Sequence, residues 1–220
     1  MATMAMLLLL CLLGIDAWQP PSLPKVFVGS KRLLAISLTV CSLCNGVPLV
    51  NFPNPVQAVE DIATIFTDKD DLVRFAHPSS MKLSPKLVKT HDKEYFFLSD
   101  ELKGVNTGIT IDRIRKINNI REFTTPAKLG QKVVDLELSK DGVSSCELLT
   151  ATESLYHDVP VYNIHYTVQS SHGNNIYFVK SFVRDKQLVV FTVQVKDKLY
   201  KDSESVRDAV DNIYNSFSVV

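Results

Sequence analysis

The best local group of potential metal ligands in this chain is formed by His91, Asp92 and Glu94. Imidazole and carboxylate groups are side chains that bind divalent cations in proteins. Lys89 and Lys93 bracket the group, however, and their positive charges oppose the binding of a cation. We therefore favour a turn held by hydrogen bonds, and we keep the three residues as weak candidate ligands.

Motifs of known enzyme classes are absent from the sequence. The histidines include no pair spaced at i, i+2 or i+4, the spacings at which one strand or helix would present two metal ligands. The chain also lacks a Gly-x-Ser-x-Gly elbow, a phosphate-binding loop, a dinucleotide-binding glycine motif and a His-Glu-x-x-His helix. These observations disfavour an enzyme.

Basic side chains are concentrated once, at Arg113, Arg115 and Lys116, with Arg121 just beyond. If the strand predicted around Arg113 continues, Arg113 and Arg115 project from one face, because alternate residues of a strand share a face. Such a pair could meet acidic groups of a partner protein and raise the rate of association. We name these four residues as candidate docking residues, and the alternative is a solvated strand end.

An acidic cluster, Asp68-Lys69-Asp70-Asp71, suggests cation binding at first sight. The glycine and the terminal glutamate of a calcium-binding loop are missing at the required offsets. We therefore interpret the cluster as a solvated turn or a helix cap.

Overall composition limits the class of protein. The chain has 220 residues, with 24 basic and 24 acidic side chains, so it creates no global field that would attract nucleic acid. Its length suits one domain with processed leader segments. Cys146 is the only cysteine after Cys44, which excludes an internal disulfide in the C-terminal part. The Cys41-Ser42-Leu43-Cys44 spacing lies in an apolar run without a second ligand pair, so we assign it no function.

The candidate residues must be positioned by a strand followed by a capped helix. Thr107 to Arg115 alternates apolar and more polar side chains, which is the period of a half-buried strand. Thr125 and Pro126 supply a hydroxyl N-cap and a proline at the first helical position, so a helix is predicted to begin there. Asp141-Gly142 is predicted to end it. An apolar stripe indicates that this helix lies across a sheet: Leu129, Val133 and Leu136.

The flanking sequence predicts further strands and a final helix. Strands are predicted at Val73 to Pro78, Lys93 to Ser99, Val143 to Thr152, Val159 to Gln169, Ile176 to Arg184 and Leu188 to Val195. Val59 to Asp71 is interpreted as a lead-in, and His77 to His91 as a loop. Asp202 or Ser203 should cap the final helix. Its stripe consists of Val206, Val210, Ile213 and Phe217.

Hairpin-like links between these elements favour antiparallel pairing. Turns are predicted at Ser171 to Asn175 and at Arg184 to Gln187, because their residue types suit tight turns. With helices covering the faces of the sheet, the fold class is α+β rather than a parallel α/β arrangement.

Several segments resemble the PsbP family, which comprises extrinsic lumenal proteins of photosystem II and their relatives. They are GITIDRIR and REFTTP in the centre, SPKLVKTHDKEYFF before it, and YNIHYTVQSSHG, LVVFTVQ and IYNSFSV after it. The resemblance spans nearly all of Val73 to Val220. It implies an α/β/α sandwich around a central antiparallel sheet, which agrees with the pattern of elements.

The N-terminal region is predicted to consist of successive targeting segments. We predict a signal peptide at 1–17, a plastid transit segment at 18–32, a thylakoid lumen export signal at 33–58 and a PsbP-like domain at 59–220. An aromatic residue directly after the first cleavage point resembles the bipartite leaders of algae with complex plastids. The alternative is that Leu33 to Val50 is retained as a membrane anchor, since it is near the lower limit of a spanning length.

The resemblance also implies a function. Family members have no catalytic cycle of their own, attach peripherally to the lumenal face of photosystem II, and help the oxygen-evolving centre to retain calcium and chloride. A monomeric domain without a tightly bound cofactor is implied, with calcium held through the partner complex. Because the segment before the first strand is short and not strongly basic, an assembly factor is as good an expectation as a structural subunit.

A second hypothesis comes from another class. The chain could be a lumenal or secreted small-ligand-binding protein, or an enzyme of unknown reaction, that uses a concave pocket beside the sheet. His165, Tyr166 or Asp112 would then supply polar groups. A pocket with convergent titratable groups would favour this hypothesis.

Overall fold

The computed structural model describes residues 63–70, 72–85 and 91–220. Its strands are β1 (Ala63–Thr67), β2 (Val73–Pro78), β3 (Met81–Leu83), β4 (Lys93–Ser99), β5 (Val105–Arg113), β6 (Val143–Tyr156), β7 (Val159–Ser170), β8 (Gly173–Arg184), β9 (Gln187–Lys196) and β10 (Ser218–Val219). Its helices are α1 (Pro126–Leu138), α2 (Asp197–Asp202) and α3 (Glu204–Asn215), with a 3₁₀ turn at Ile120–Glu122.

The predicted leader segments 1–17, 18–32 and 33–58 lie outside the described residues and stay predictions. Residues 59–62 of the predicted domain lie outside them as well. Among the residues that are described, no helix combines the length and the apolar character needed to cross a membrane.

The strands form two sheets. A large sheet has seven strands in the order β3-β4-β5-β9-β8-β7-β6, and a small sheet has three in the order β1-β2-β10. All pairs are antiparallel. The prediction of an α+β fold around a central antiparallel sheet is confirmed.

The two faces of the large sheet belong to two separate hydrophobic clusters. Because successive side chains of a strand point to opposite faces, β9 sends Phe191 toward the small sheet and α3, and Val190 toward α1. Alternate side chains of β7 share one face by the period of the strand and are all buried on the α1 side: Tyr162, Ile164, Tyr166 and Val168.

Helix α1 packs on β6 and β7, at one end of the large sheet. Gly130 permits this close approach, since a Cβ there would lie 2.8 Å from Leu148 Cδ1 and 3.3 Å from Ala151 Cβ. The strands at the other end of that face, β4 and β5, therefore lie beside the helix rather than under it. This offset creates the cavity described below.

The first residues of the helices agree with the sequence prediction more closely than the last residues do. Thr125 Oγ1 accepts a hydrogen bond from Lys128 N, so the predicted start of α1 is confirmed. The predicted stop is wrong, because α1 ends at Leu138 and Gly142 takes its left-handed φ of +79° in the turn before β6. Ser203, rather than Asp202, caps α3 by accepting from Val206 N.

Two strands lie where none was predicted. β1 occupies the segment interpreted as a lead-in, and β3 lies inside the predicted loop from His77 to His91. Both are short, and β1 keeps its side chains exposed or half-buried. A strand is predicted from the alternation of apolar and polar side chains, and neither segment is long enough to show this pattern clearly.

Candidate functional site

The predicted docking residues surround the end of β5. The strand stops at Arg113, because its partner β9 begins at Gln187, directly opposite. Beyond this point the chain bends, and Ile114 packs into the hydrophobic cluster under α1. The strand does not continue to Arg115, so the condition for a shared strand face is not met. Arg113, Arg115 and Lys116 are all exposed.

Lys186 was not among the predicted docking residues, yet its turn lies beside them. Ile114 N donates a hydrogen bond to the carbonyl oxygen of Lys186 at 2.8 Å, which ties the β8–β9 turn to the basic segment. Lys186 is exposed, and it has a left-handed φ of 58°. The turn itself was predicted from its residue types, but its long-range contact with Ile114 was not. We call Arg113, Arg115, Lys116 and Lys186 the basic end of the sheet.

Arg121 differs from the other docking candidates because it is engaged within the chain. Its Nε donates to both carboxylate oxygens of Glu153, at 3.0 and 3.1 Å, and its Nη2 also contacts this carboxylate. The hydrogen bond with Glu153 raises the pKa of Arg121, and the same bond lowers the pKa of Glu153. The pair joins the 3₁₀ turn to β6, so Arg121 is less available to a partner than the basic end.

The candidate metal ligands are organised around Asp112. His91 Nδ1 lies 2.7 Å from Asp112 Oδ2, and Asp92 N donates to Asp112 Oδ1 at 3.2 Å. The Asp92 side chain accepts a hydrogen bond from Arg113 N at 2.9 Å. Glu94 lies in β4 opposite Thr110. Across residues 63–70, 72–85 and 91–220, no three His, Cys, Asp or Glu side chains converge in a way that could hold a metal ion.

The polar residues of the ligand-binding hypothesis lie on two faces of the large sheet. Tyr166 belongs to the cluster under α1, where its ring stacks on Tyr177 with centroids 4.8 Å apart. His165 follows the alternation of β7 to the opposite face, where its Nε2 lies 3.0 Å from the hydroxyl of Tyr214. Asp112 lies on the α1 face. It does not line the cavity described below, but its carboxylate contacts His91, which does. The three residues therefore do not form one site.

A cavity of about 70 Å³ lies on the α1 side of the large sheet. His91, Tyr166 and Gly108 line it together with apolar side chains of α1 and β8. It is the feature of the described residues that best fits a small-ligand site.

A buried lysine lies on the other face, near His165. Lys180 is only 2% exposed, and its Nζ donates to the hydroxyl of Tyr156 at 2.9 Å. The same ammonium group lies over the rings of Tyr214 and Phe217, 4.4 and 5.2 Å from their centroids. Aromatic faces attract a cation through the ring quadrupole, and the attraction is stronger where water is excluded.

His165 should make the stability of the domain depend on pH. Burial lowers the pKa of His165, the Lys180 charge lowers it further, and Asp211 acts in the opposite direction. Between this lowered pKa and the ordinary value of about 6.5, the unfolded chain binds a proton that the folded chain excludes. We therefore expect the free energy of unfolding to fall as pH falls through this window.

Urea unfolding at about pH 7.5 and about pH 5.5 measures this dependence. The variant His165→Gln should show a smaller decrease than the parent chain, whereas the exposed His172→Gln should behave like the parent. An equal decrease in the parent chain and in His165→Gln would contradict the expectation.

Comparison with known proteins identifies a family and solved structures with a similar fold. The family model of PsbP matches residues 63–219. The solution structure of cyanobacterial PsbP (CyanoP) from Synechocystis sp. PCC 6803 aligns with a TM-score of 0.60 at 14% identity, over 77% of this chain and 99% of that chain. At this identity the likeness shows the fold alone. No curated protein sequence matches the chain.

More distant structures align with lower scores. The Ran-binding protein Mog1p of Saccharomyces cerevisiae has a TM-score of 0.45 at 11% identity, over 72% of this chain and 95% of that chain. LpqN of Mycobacterium tuberculosis, involved in cell envelope biogenesis, has a TM-score of 0.45 at 10% identity, over 72% of this chain and 90% of that chain. Likenesses of this size carry no functional argument.

Proposed function

Because this chain belongs to the PsbP family, we propose that it is a non-enzymatic extrinsic protein of the plastid thylakoid lumen that docks on the lumenal face of photosystem II. The observation that carries this proposal is the family match over residues 63–219, which includes every strand and helix described above. The chain acts there as a subunit or as an assembly factor. Calcium and chloride are retained by the complex that it supports, and not by a cofactor site of its own.

Delivery to the lumen is part of the same proposal. The segments 1–17, 18–32 and 33–58 act as successive targeting signals, and the mature protein attaches to the membrane only through its partner. Fractionation of lumen, thylakoid membranes and secreted protein tests this step. Recovery of the chain in the secreted fraction would contradict the proposed location in the thylakoid lumen.

The basic end of the sheet is the surface that we propose for docking. Within the described part of the chain, Arg113, Arg115 and Lys116 form no ion pair, in contrast to Arg121. Exposed cations of this kind are free to meet acidic groups on another protein, which steers the encounter and makes binding sensitive to salt. Their position at one end of the sheet leaves both hydrophobic clusters of the domain undisturbed when a partner binds.

Reversal of three of its four charges tests this surface. The variant Arg113→Glu/Arg115→Glu/Lys116→Glu should bind salt-washed thylakoid membranes about tenfold more weakly or worse, because an exposed ion pair contributes roughly 0.2–1 kcal/mol and three are replaced by repulsion. Rebinding is measured over a series of salt concentrations. The parent chain should be released by salt, and the variant should be released at lower salt.

A matched variant separates a specific surface from net charge. Lys69→Glu/Lys103→Glu/Lys128→Glu makes the same change in charge at exposed positions away from the Arg113 end of β5. It should bind like the parent chain. Equal loss in both variants would mean that the basic end has no special role, and salt-resistant binding of the parent would contradict electrostatic docking altogether.

A further inference from the structure

The cavity on the α1 side is formed by the offset between α1 and the large sheet. Its floor is β5 and β9, where Gly108 lies opposite Thr192. Its walls are largely apolar and come from β4, α1 and β8: Phe96, Leu129, Val133, Tyr177 and Val179. A volume of about 70 Å³ exceeds the roughly 10–15 Å³ that a single water needs several times over. The cavity is partly open to solvent, so part of a bound molecule can extend beyond it.

Gly108 lies in the floor of the cavity and allows Phe96 to approach the β5 backbone. A Cβ at this position would lie 3.1 Å from Phe96 Cδ2 and 3.3 Å from the backbone oxygen of Tyr95. Glycine weakens a strand interior and often marks a place where another group approaches the backbone closely. Here the approaching group is the Phe96 ring, which packs against the Gly108 backbone at the edge of the cavity.

Three polar atoms around the cavity are buried without a hydrogen-bond partner in the described protein: His91 Nε2, Thr110 Oγ1 and Ser181 Oγ. The His91 side chain is 0% exposed and Ser181 is 1% exposed. Buried polar atoms in native proteins nearly always have a partner, because an unmet hydrogen bond costs free energy. Their concentration around one cavity indicates that the cavity accommodates a polar ligand.

The Asp112 carboxylate fixes the role of His91. Because Asp112 Oδ2 lies 2.7 Å from His91 Nδ1, the carboxylate accepts a hydrogen bond from Nδ1–H, and in the tautomer that has its proton at Nδ1 the Nε2 atom is unprotonated. His91 Nε2 is then a hydrogen-bond acceptor, held in place by the same carboxylate–histidine arrangement that orients imidazoles in other binding sites. His91 Nε2 can therefore bind a ligand that donates a hydrogen bond from an O–H or N–H group.

Among the described residues that line the cavity there is no lysine or arginine, whereas the Glu94 carboxylate is one of them. This negative charge disfavours an anion. Thr110 lies on the same face of β5 as Asp112, two residues away, and Thr110 and His91 both line the cavity. Aromatic walls formed by Phe96 and Tyr177 suit a ring. We propose that this cavity binds a small uncharged phenol, whose hydroxyl donates to His91 Nε2 and accepts from Thr110 Oγ1, and whose ring packs against Phe96 and Tyr177.

Titration of the full chain with 4-methylphenol, followed by amide chemical shifts, tests the proposal. Shifts should be concentrated at Gly108, Thr110 and Thr192. Toluene, which lacks the hydroxyl, and benzoate, which is an anion, should each bind at least tenfold more weakly. Equal binding of toluene, tighter binding of benzylamine, or shifts spread outside the cavity would overturn the assignment.

Substitutions identify the groups that contact the phenol. His91→Phe removes the acceptor and should weaken 4-methylphenol binding at least tenfold, about the value of one hydrogen bond. Should this variant fail to fold, Thr110→Val replaces a hydroxyl that has no partner in the protein. It should weaken binding several-fold while the Tm stays the same or rises.

The matched control is Thr152→Val, an exposed strand position outside the cavity, which should leave binding unchanged. Binding that is the same in Thr110→Val and in Thr152→Val would overturn the contact to Thr110 and with it the proposed pose. Membrane docking through the basic end is measured separately, so failure of one proposal does not affect the other.

Discussion

Replacing Phe191 by alanine is expected to lower the free energy of unfolding by about 4 kcal/mol, within the roughly 3–5 kcal/mol range for truncation of a buried phenylalanine. Phe191 lies in β9, the middle strand of the large sheet, and is 0% exposed. Its ring contacts Phe75 of β2 and Phe217, with centroids 5.1 and 4.9 Å apart. One side chain thus joins the large sheet, the small sheet and the segment after α3.

The large expected effect follows from the number of elements that meet at this ring. Surrounding strands are held by their hydrogen-bond ladders and cannot collapse into the space that the ring leaves, so the cavity term adds to the lost transfer free energy. Chemical denaturation measures the change. Phe191→Leu, which retains most of the volume, should cost less than about 1.5 kcal/mol. A loss below about 1.5 kcal/mol in Phe191→Ala would show that the small sheet packs loosely on the large one.

The part of the fold that could be predicted is the part determined locally. Thr125-Pro126 specifies the start of α1 through one side-chain hydrogen bond and one fixed φ, both within a single turn. The Asp185-Lys186 turn is local too, with both residues in the left-handed region. The stop of α1 was mispredicted because the helix ends at Leu138 without using the glycine, whose positive φ serves the following turn instead.

The small sheet could not be predicted because its pairing is long-range. Ser218 of β10 pairs with Arg74 of β2, and Ser216 Oγ accepts from Ala76 N across 140 positions of the sequence. No local pattern reports such a contact. The basic end and the cavity have the same origin, since Lys186 reaches Ile114 and His91 reaches Asp112 only after the sheet has formed. Most of the polar residues could be identified as candidates from the sequence. Which of them share a surface became clear only from the structure.

Replacing Asp68 by alanine is expected to cost about 3 kcal/mol of unfolding free energy. The change removes two buried charge-assisted hydrogen bonds, from Leu72 N and Val73 N, at roughly 1.5–3 kcal/mol each, and partial solvation of these groups reduces the loss. The Asp68 side chain is 2% exposed, and its Oδ1 accepts from Leu72 N at 2.6 Å and from Val73 N at 2.9 Å. Its Oδ2 accepts from Asp70 N at 3.1 Å. The carboxylate therefore holds the connection between β1 and β2.

The variant Asp68→Asn separates the hydrogen bonds from the charge. Its amide oxygen can still accept from Leu72 N and Val73 N, so the expected loss is about half that of alanine. Added calcium should not raise the Tm of the parent chain, because both carboxylate oxygens face N–H donors, which repel a cation. A calcium-dependent rise in Tm that is lost in Asp68→Asn would instead make this connection a cation site. The structure favours a Tm that does not respond to calcium. A carboxylate that already accepts hydrogen bonds from three backbone amides can bind calcium only by releasing them.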